Sequence, residues 1–223
     1  ISPVHSGSLS KYGESTRSIS LKMNRRIIVV GGGPAGMMAA GTAARLGGTV
    51  CLFEKNKILG KKLLITGKGR CNVTNFCDVN NVIENITSSN PRFMYGALNA
   101  FGCYDTYAFF EKLGVELKTE RGNRVFPKSD RAADIRNALE KYIKSAGVTI
   151  VNEQVVSVKT DPLCVLTDGK CYNADAVIIA TGGLSYPATG STGDGFRFAR
   201  ELSHRLVKPE PALVSLIGSQ EIC

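Results

Sequence analysis

The chain has 223 residues, room for one large domain or two small ones, and at 43% hydrophobic and 21% charged it excludes wholesale disorder. A formal charge of +9 raises nucleic acid or acidic lipid as partners, but residues 1–26 alone carry five basic side chains against Glu14, so the remainder is unremarkable. Seven scattered cysteines with no C-x2-C spacing, and only His5 and His204, point away from a disulfide scaffold and from any metal site.

Residues 1–22 hold seven serines, few apolar side chains and no periodicity, so residues 1–24 read as a disordered leader with Met23 as the true start. The rival reading is an organellar transit peptide, because the segment is serine-rich, basic and poor in acids. Without it, reduced thiols suggest a cytoplasmic protein. From Ile27 to Ala44 there is no charge, and Arg25-Arg26 precede the run. A membrane helix would be broken at Gly31-Gly32-Gly33-Pro34, so a strand, a turn and a helix are expected instead, and no membrane association.

The elements then alternate. Residues 27–30 form an all-apolar strand, 34–46 a helix rich in Ala and Met that ends at Gly47-Gly48, and 49–53 a second buried strand closed by Glu54. Residues 60–80 read as a loop or interrupted helix, fixed to the core by Leu63-Leu64-Ile65. Residues 91–113 read as two short helices with apolar faces from Phe93, Met94, Leu98, Phe101, Tyr107 and Phe110. Ser129 is placed to cap a helix over 131–145 that ends at Gly147. Strands follow at 148–151, then a meander at 155–159, 164–167 and 170–172, then 176–180, with a helix at 195–204 and a last strand at 212–216. This is the order of an α/β, doubly wound parallel sheet: a Rossmann-like dinucleotide-binding domain with a small antiparallel meander.

Gly31-x-Gly33-x-x-Gly36 sits between the first strand and its helix, which opens at Pro34 and Ala35. Gly31 permits the tight turn, Gly33 lets backbone approach a pyrophosphate, and Gly36 lets helix and strand pack closely. Glu54 is placed to accept from the two hydroxyls of a ribose and would repel a 2′-phosphate, which favours FAD or NAD over NADP. Lys55 and Lys62 are candidate cations beside it. The stretch Gly60 to Asn75 is no P-loop, since Lys62 stands where that motif needs glycine.

That stretch, the fingerprint, Arg124-Val125-Phe126-Pro127 and Ala180-Thr181-Gly182-Gly183-x-Ser185-Tyr186-Pro187 together resemble the BaiN/YhiN-type family of FAD-dependent oxidoreductases over about residues 25–216. The resemblance implies a glutathione-reductase-type FAD-binding domain in which residues 31–54 hold the ADP half. It places Gly69, Arg70, Cys71 and Asn72 near the pyrophosphate, ribityl chain or flavin, and Ala180, Thr181, Gly182 and Gly183 at the second cofactor turn. Val155 is where such folds let backbone meet adenine, with a plain core valine as the alternative. The implied chemistry is hydride transfer through flavin to or from a small organic substrate, with NAD(P)H as a candidate donor.

Cys71 reads as structural or cofactor-lining rather than redox-active, since no close thiol partner is visible in the sequence. Tyr186 and His204 are weak acid–base candidates, and no catalytic residue is assigned. Relatives continue well beyond this chain, so 25–208 is expected to be the N-terminal part of an FAD-binding domain and 209–223 the start of a truncated inserted substrate domain. Two alternatives stay open: a non-catalytic nucleotide-binding fragment and an RNA-modifying flavoprotein. The second needs a clustered basic face with aromatics, and none is visible, so no nucleic acid is expected. The oligomeric state is not legible.

Overall fold

The computed structural model describes residues 24–88 and 90–210. The leader up to residue 23 and the expected strand at 212–216 lie outside the described residues. Five consecutive residues, Arg26–Val30, form β1, and three of them are buried because the strand is covered on both faces. A turn at Gly31–Gly33 leads into α1 (Pro34–Arg45), whose proline at the first turn is preorganised for a helix start, and the chain returns as β2 (Thr49–Phe53).

The middle of the chain holds β3 (Thr74–Asn75), α2 (Val79–Glu84), α3 (Tyr95–Ala100), α4 (Cys103–Lys112), β4 (Leu117–Glu120) and β5 (Arg124–Pro127). Next come α5 (Ala132–Ser145), β6 (Thr149–Val151), β7 (Ser157–Thr160), β8 (Leu163–Leu166), β9 (Cys171–Asn173), β10 (Ala176–Ile179) and α6 (Asp194–Glu201). The parallel sheet runs β10-β1-β2-β6, while β3-β5-β4 and β7-β8-β9 are separate antiparallel sheets. The doubly wound order and the meander are therefore as the sequence reading expects. No helix among the described residues is long and apolar enough to cross a membrane.

The main sheet separates two apolar layers. On one face Val29, Val50 and Leu52 pack with Met37 and Ala40 of α1 and with Ile135, Leu139 and Ile143 of α5. On the other, Ile28, Val30 and Phe53 pack with Val158 and Val165 of the meander and Phe198 of α6. The helices meet closely at Gly41, where a Cβ would stand 2.1 Å from the Tyr142 ring. The chain steps from β1 outward through β2 to β6 and then places β10 on the other side of β1, so strand order reverses between β1 and β10. A crevice at the carboxyl ends of the strands is the expected ligand position in such a sheet.

Several local expectations need correction. Ser129 does not cap α5; Arg131 holds the cap position, and the Ser129 hydroxyl donates to Asp134 at 2.6 Å. The triplet Leu63-Leu64-Ile65 buries only Leu63, since the segment turns as a short 3-10 helix and leaves Ile65 about half exposed. Of the six apolar side chains expected to face the core across 91–113, only Phe110 is buried, and Phe93 is 81% exposed. The β4–β5 hairpin was not anticipated; it turns at Gly122 and Asn123, both with positive φ.

Candidate functional site

At the carboxyl ends of β1, β2 and β10 lies a cleft of about 310 Å³. Strand ends are held there by backbone: Gly31 donates to the Phe53 carbonyl at 2.8 Å, and Ala180 to the Val30 carbonyl at 2.8 Å. Gly31 has φ +108°, and a Cβ there would stand 2.5 Å from the Ala180 carbonyl oxygen, so the two glycine turns pass at a distance only glycine allows. Gly33 differs. It sits in extended backbone, and a Cβ on it would meet nothing within 4 Å, because it borders open cleft. The amides of Gly33 and Ala35 donate to no acceptor among the described residues, and the first turn of α1 carries no acid. This is an uncompensated helix N-terminus aimed at a cleft, a ready anion site.

Glu54 is buried at the mouth of that turn. Its Oε2 accepts from the Gly32 amide at 2.7 Å, and its Oε1 accepts from the amide of Asn56 at 2.8 Å and from Asn56 Nδ2 at 2.6 Å. Lys55 turns to α6, where its Nζ donates to Thr192 Oγ1 and Asp194 Oδ2, each at 2.7 Å. Burial pushes the Asp194 carboxyl up, but the Lys55 ammonium and the Thr192 hydroxyl pull it harder the other way, and it ends below its ordinary value. The third wall is Val155, buried, with neither its backbone N–H nor its C=O engaged among the described residues. Beside it Glu153 accepts from Lys170 Nζ and Thr167 Oγ1, each at 2.7 Å.

The structure thus brings to one cleft eleven of the residues singled out from sequence: Gly31, Gly33, Pro34, Ala35, Glu54, Lys55, Lys62, Val155, Ala180, Thr181 and Gly182. Gly36 lies beneath it, packed on the Gly31 carbonyl, and Gly183 lies outside its lining.

The segment Gly69 to Asn72 also lies outside the lining. Arg70 pairs with Glu120 and, at 2.7 Å, with Asp130, and its guanidinium stacks 4.1 Å above the Phe126 ring. Lys118 joins the same two carboxylates. The Val73 amide donates to the Val125 carbonyl at 2.8 Å and ties the loop to β5. Left-handed backbone at Gly67, Lys68, Gly69 and Cys71 is held by these ties. Cys71 is buried, and burial pushes its thiol pKa up while a hydrogen bond with Thr66 partly offsets the rise. A protonated, enclosed thiol suits packing rather than nucleophilic work.

Sequence reasoning missed the wall contributed by Asn56, Lys61, Thr189, Ser191 and Asp194. The signal available was Gly193-Asp194-Gly195 ahead of an amphipathic helix, a second glycine turn opening a helix in the manner of the first.

The depressed carboxylates carry a pH prediction. Asp194, Asp130, Glu120 and Asp175 all sit below their ordinary values, Asp130, Glu120 and Asp175 chiefly because cationic partners hydrogen-bond to them. A folded-state pKa below the unfolded one gives stability that is full above the unfolded value and lost as pH falls through the folded one. Melting temperature is therefore expected to hold from neutrality to about pH 4.5 and to drop below about pH 4. A flat profile down to pH 3 by circular dichroism would contradict these pairings.

The HI0933-like protein Rossmann domain matches residues 25–215. The chain is 36% identical over 201 residues to the 3-dehydro-bile acid delta(4,6)-reductase of Clostridium scindens, covering 86% of this chain and 47% of that protein. It is 30% identical over 192 residues to a ribosomal RNA dihydrouridine synthase of Escherichia coli, covering 84% and 46%. A protein of the same name from Haemophilus influenzae is 30% identical over 200 residues, covering 84% and 47%. The chain spans about half the length of these curated relatives. The family resemblance carried by the motifs holds across residues 25–215.

Proposed function

This chain belongs to the HI0933-like family of Rossmann-domain proteins, and from that premise we propose that its cleft binds FAD and serves hydride transfer to an organic acceptor. The observation that carries the reading is the open cradle at Gly33, where free amides, an uncompensated helix end and vacant space coincide. A diphosphate fits that chemistry, because it supplies the negative charge and the acceptors that the turn lacks. Val155 offers a donor and an acceptor on one residue, the pair an adenine edge requires. Glu54 has one lone-pair site of its roughly four unoccupied, and a ribose diol gains a second by displacing the Asn56 side-chain amide. Thr181 and Gly182 then border the far end of the cofactor. We assign residues 25–208 to this cofactor domain and residues 209–223 to the start of an inserted substrate domain.

FAD supplies reversible two-electron chemistry when bound, with NAD(P)H as its donor. The chain's own contribution is to bind and orient. α1 fixes the diphosphate, Glu54 fixes the ribose, and the sheet ends exclude water from the buried side. The names of the relatives suggest reduction of an activated carbon–carbon double bond, in a steroid-like acid or in a uracil base. A small organic acceptor is the first reading. The two RNA-directed relatives support a second reading in which the acceptor is a uridine within RNA.

The visible spectrum of the purified protein, followed by NADH or NADPH oxidation with each acceptor class, tests both readings. A colourless protein that takes up no FAD on titration would refute them. Glu54→Ala is expected to weaken FAD binding by about 1.5–3 kcal/mol, the range for hydrogen bonds to a charged group. An unchanged dissociation constant would reduce Glu54 to a brace for the Gly32 amide.

A further inference from the structure

Of the three lysines lining the cleft, Lys55 is neutralised by Asp194, while Lys61 and Lys62 are not. Lys61 Nζ donates to the Ala188 carbonyl at 2.7 Å and Lys62 Nζ to the Ser185 hydroxyl at 3.0 Å, and neither has a carboxylate partner among the described residues. Both acceptors are neutral and belong to the strap after Gly183. The lysines are also fixed to the fingerprint turn itself. Gly60 donates to the Gly32 carbonyl at 2.9 Å, and the Leu59 side chain occupies the space where a Gly32 Cβ would stand, 2.4 Å from it. The segment 59–62 is thus docked on the turn whose Gly33 and Ala35 amides are free.

A diphosphate brings two negative charges, and a helix N-terminus offers only about half a positive charge. From this we infer that Lys61 and Lys62 form a cationic arm for the diphosphate of the bound dinucleotide, held on Ser185 and Ala188 until a phosphate replaces those acceptors. A phosphate oxygen carries negative charge that the Ser185 hydroxyl and Ala188 carbonyl lack, so the exchange adds ion-pair attraction to bonds already charged on the donor side. The ligand class is a nucleoside diphosphate or its dinucleotide, and the arm discriminates by phosphate charge rather than by base or flavin. The inference rests on the dinucleotide reading of the cleft.

The test is calorimetric titration of the full chain with FAD, ADP and adenosine at low and high salt. Lys61→Met combined with Lys62→Met is expected to weaken FAD and ADP about tenfold or more. The same change should flatten the salt dependence and leave adenosine unaffected. Lys61→Arg with Lys62→Arg should restore ADP binding. Ser185→Ala separates charge from scaffolding, since it removes the resting acceptor of Lys62 and should leave ADP affinity at or above the wild-type level. Equal losses for adenosine and ADP, or a Ser185→Ala loss matching that of the methionine variant, would overturn the arm and leave the dinucleotide reading standing. A wild-type chain that binds adenosine but neither ADP nor FAD would overturn both.

Discussion

Gly33→Val is expected to lower FAD affinity by at least about a hundredfold while leaving the chain folded with a near-wild-type melt. The backbone at Gly33 (φ −73°, ψ 178°) is a conformation that valine adopts without strain, and beyond its two chain neighbours no described residue lies within 4 Å of a Cβ built there. The cost to the fold is confined to the weaker N-cap that valine makes for α1. The branched side chain fills the cradle, and any ligand that reaches the Gly33 and Ala35 amides must share that space. Flavin content after gel filtration, read beside a thermal melt, checks both halves of the expectation. A folded variant with wild-type flavin would mean that the diphosphate lies elsewhere and that the free amides face water.

The parts of this fold legible in the sequence are those fixed by short spacing. The interval from Gly31 to Gly36, the apolar runs of β1 and β2 and the acid at Glu54 lie within one strand–helix–strand unit, and each has a physical reason to stand at its position. The meander was also legible, because Asp161-Pro162 and Asp168-Gly169 mark its turns, and β7, β8 and β9 pair in the register those turns impose.

What was not legible depends on residues far apart in the chain. The resemblance sets Arg70 near the cofactor, and the partners it pairs with here, Glu120 and Asp130, come 50 and 60 residues later. No local pattern announces such a pair. The outer wall of the cleft has the same origin, since Lys55 reaches Thr192 and Asp194 across 137 and 139 residues. The exposed side chains at Phe93, Met94 and Phe101 depart from expectation for another reason. An apolar residue in a helical pattern predicts a buried face only where a second layer covers it, and α3 packs on α2 while α4 reaches the core through Phe110.

Gly36→Ala is expected to produce the reverse of the Gly33 result, a less stable protein whose folded fraction still binds. A Cβ at Gly36 would stand 1.8 Å from the Gly31 carbonyl oxygen and 3.5 Å from the Ala180 Cβ. That oxygen cannot swing aside, because Gly31 is pinned through its own amide to the Phe53 carbonyl and by its φ of +108°. Either α1 must lift from β1 or the turn must reshape, and overpacking of this kind costs about 3 kcal/mol. Alanine returns something, since it is worth about 1 kcal/mol over glycine within a helix. The net loss is then about 2 kcal/mol, which for a domain of this size lowers the melting temperature by about 4–8 °C. Flavin binding should survive below that temperature, because the side chain at Gly36 points into the strand–helix contact and away from the cleft. A melting temperature equal to wild type would show that α1 can shift without cost. Close packing of the first helix on the first strand would then not be what fixes this turn.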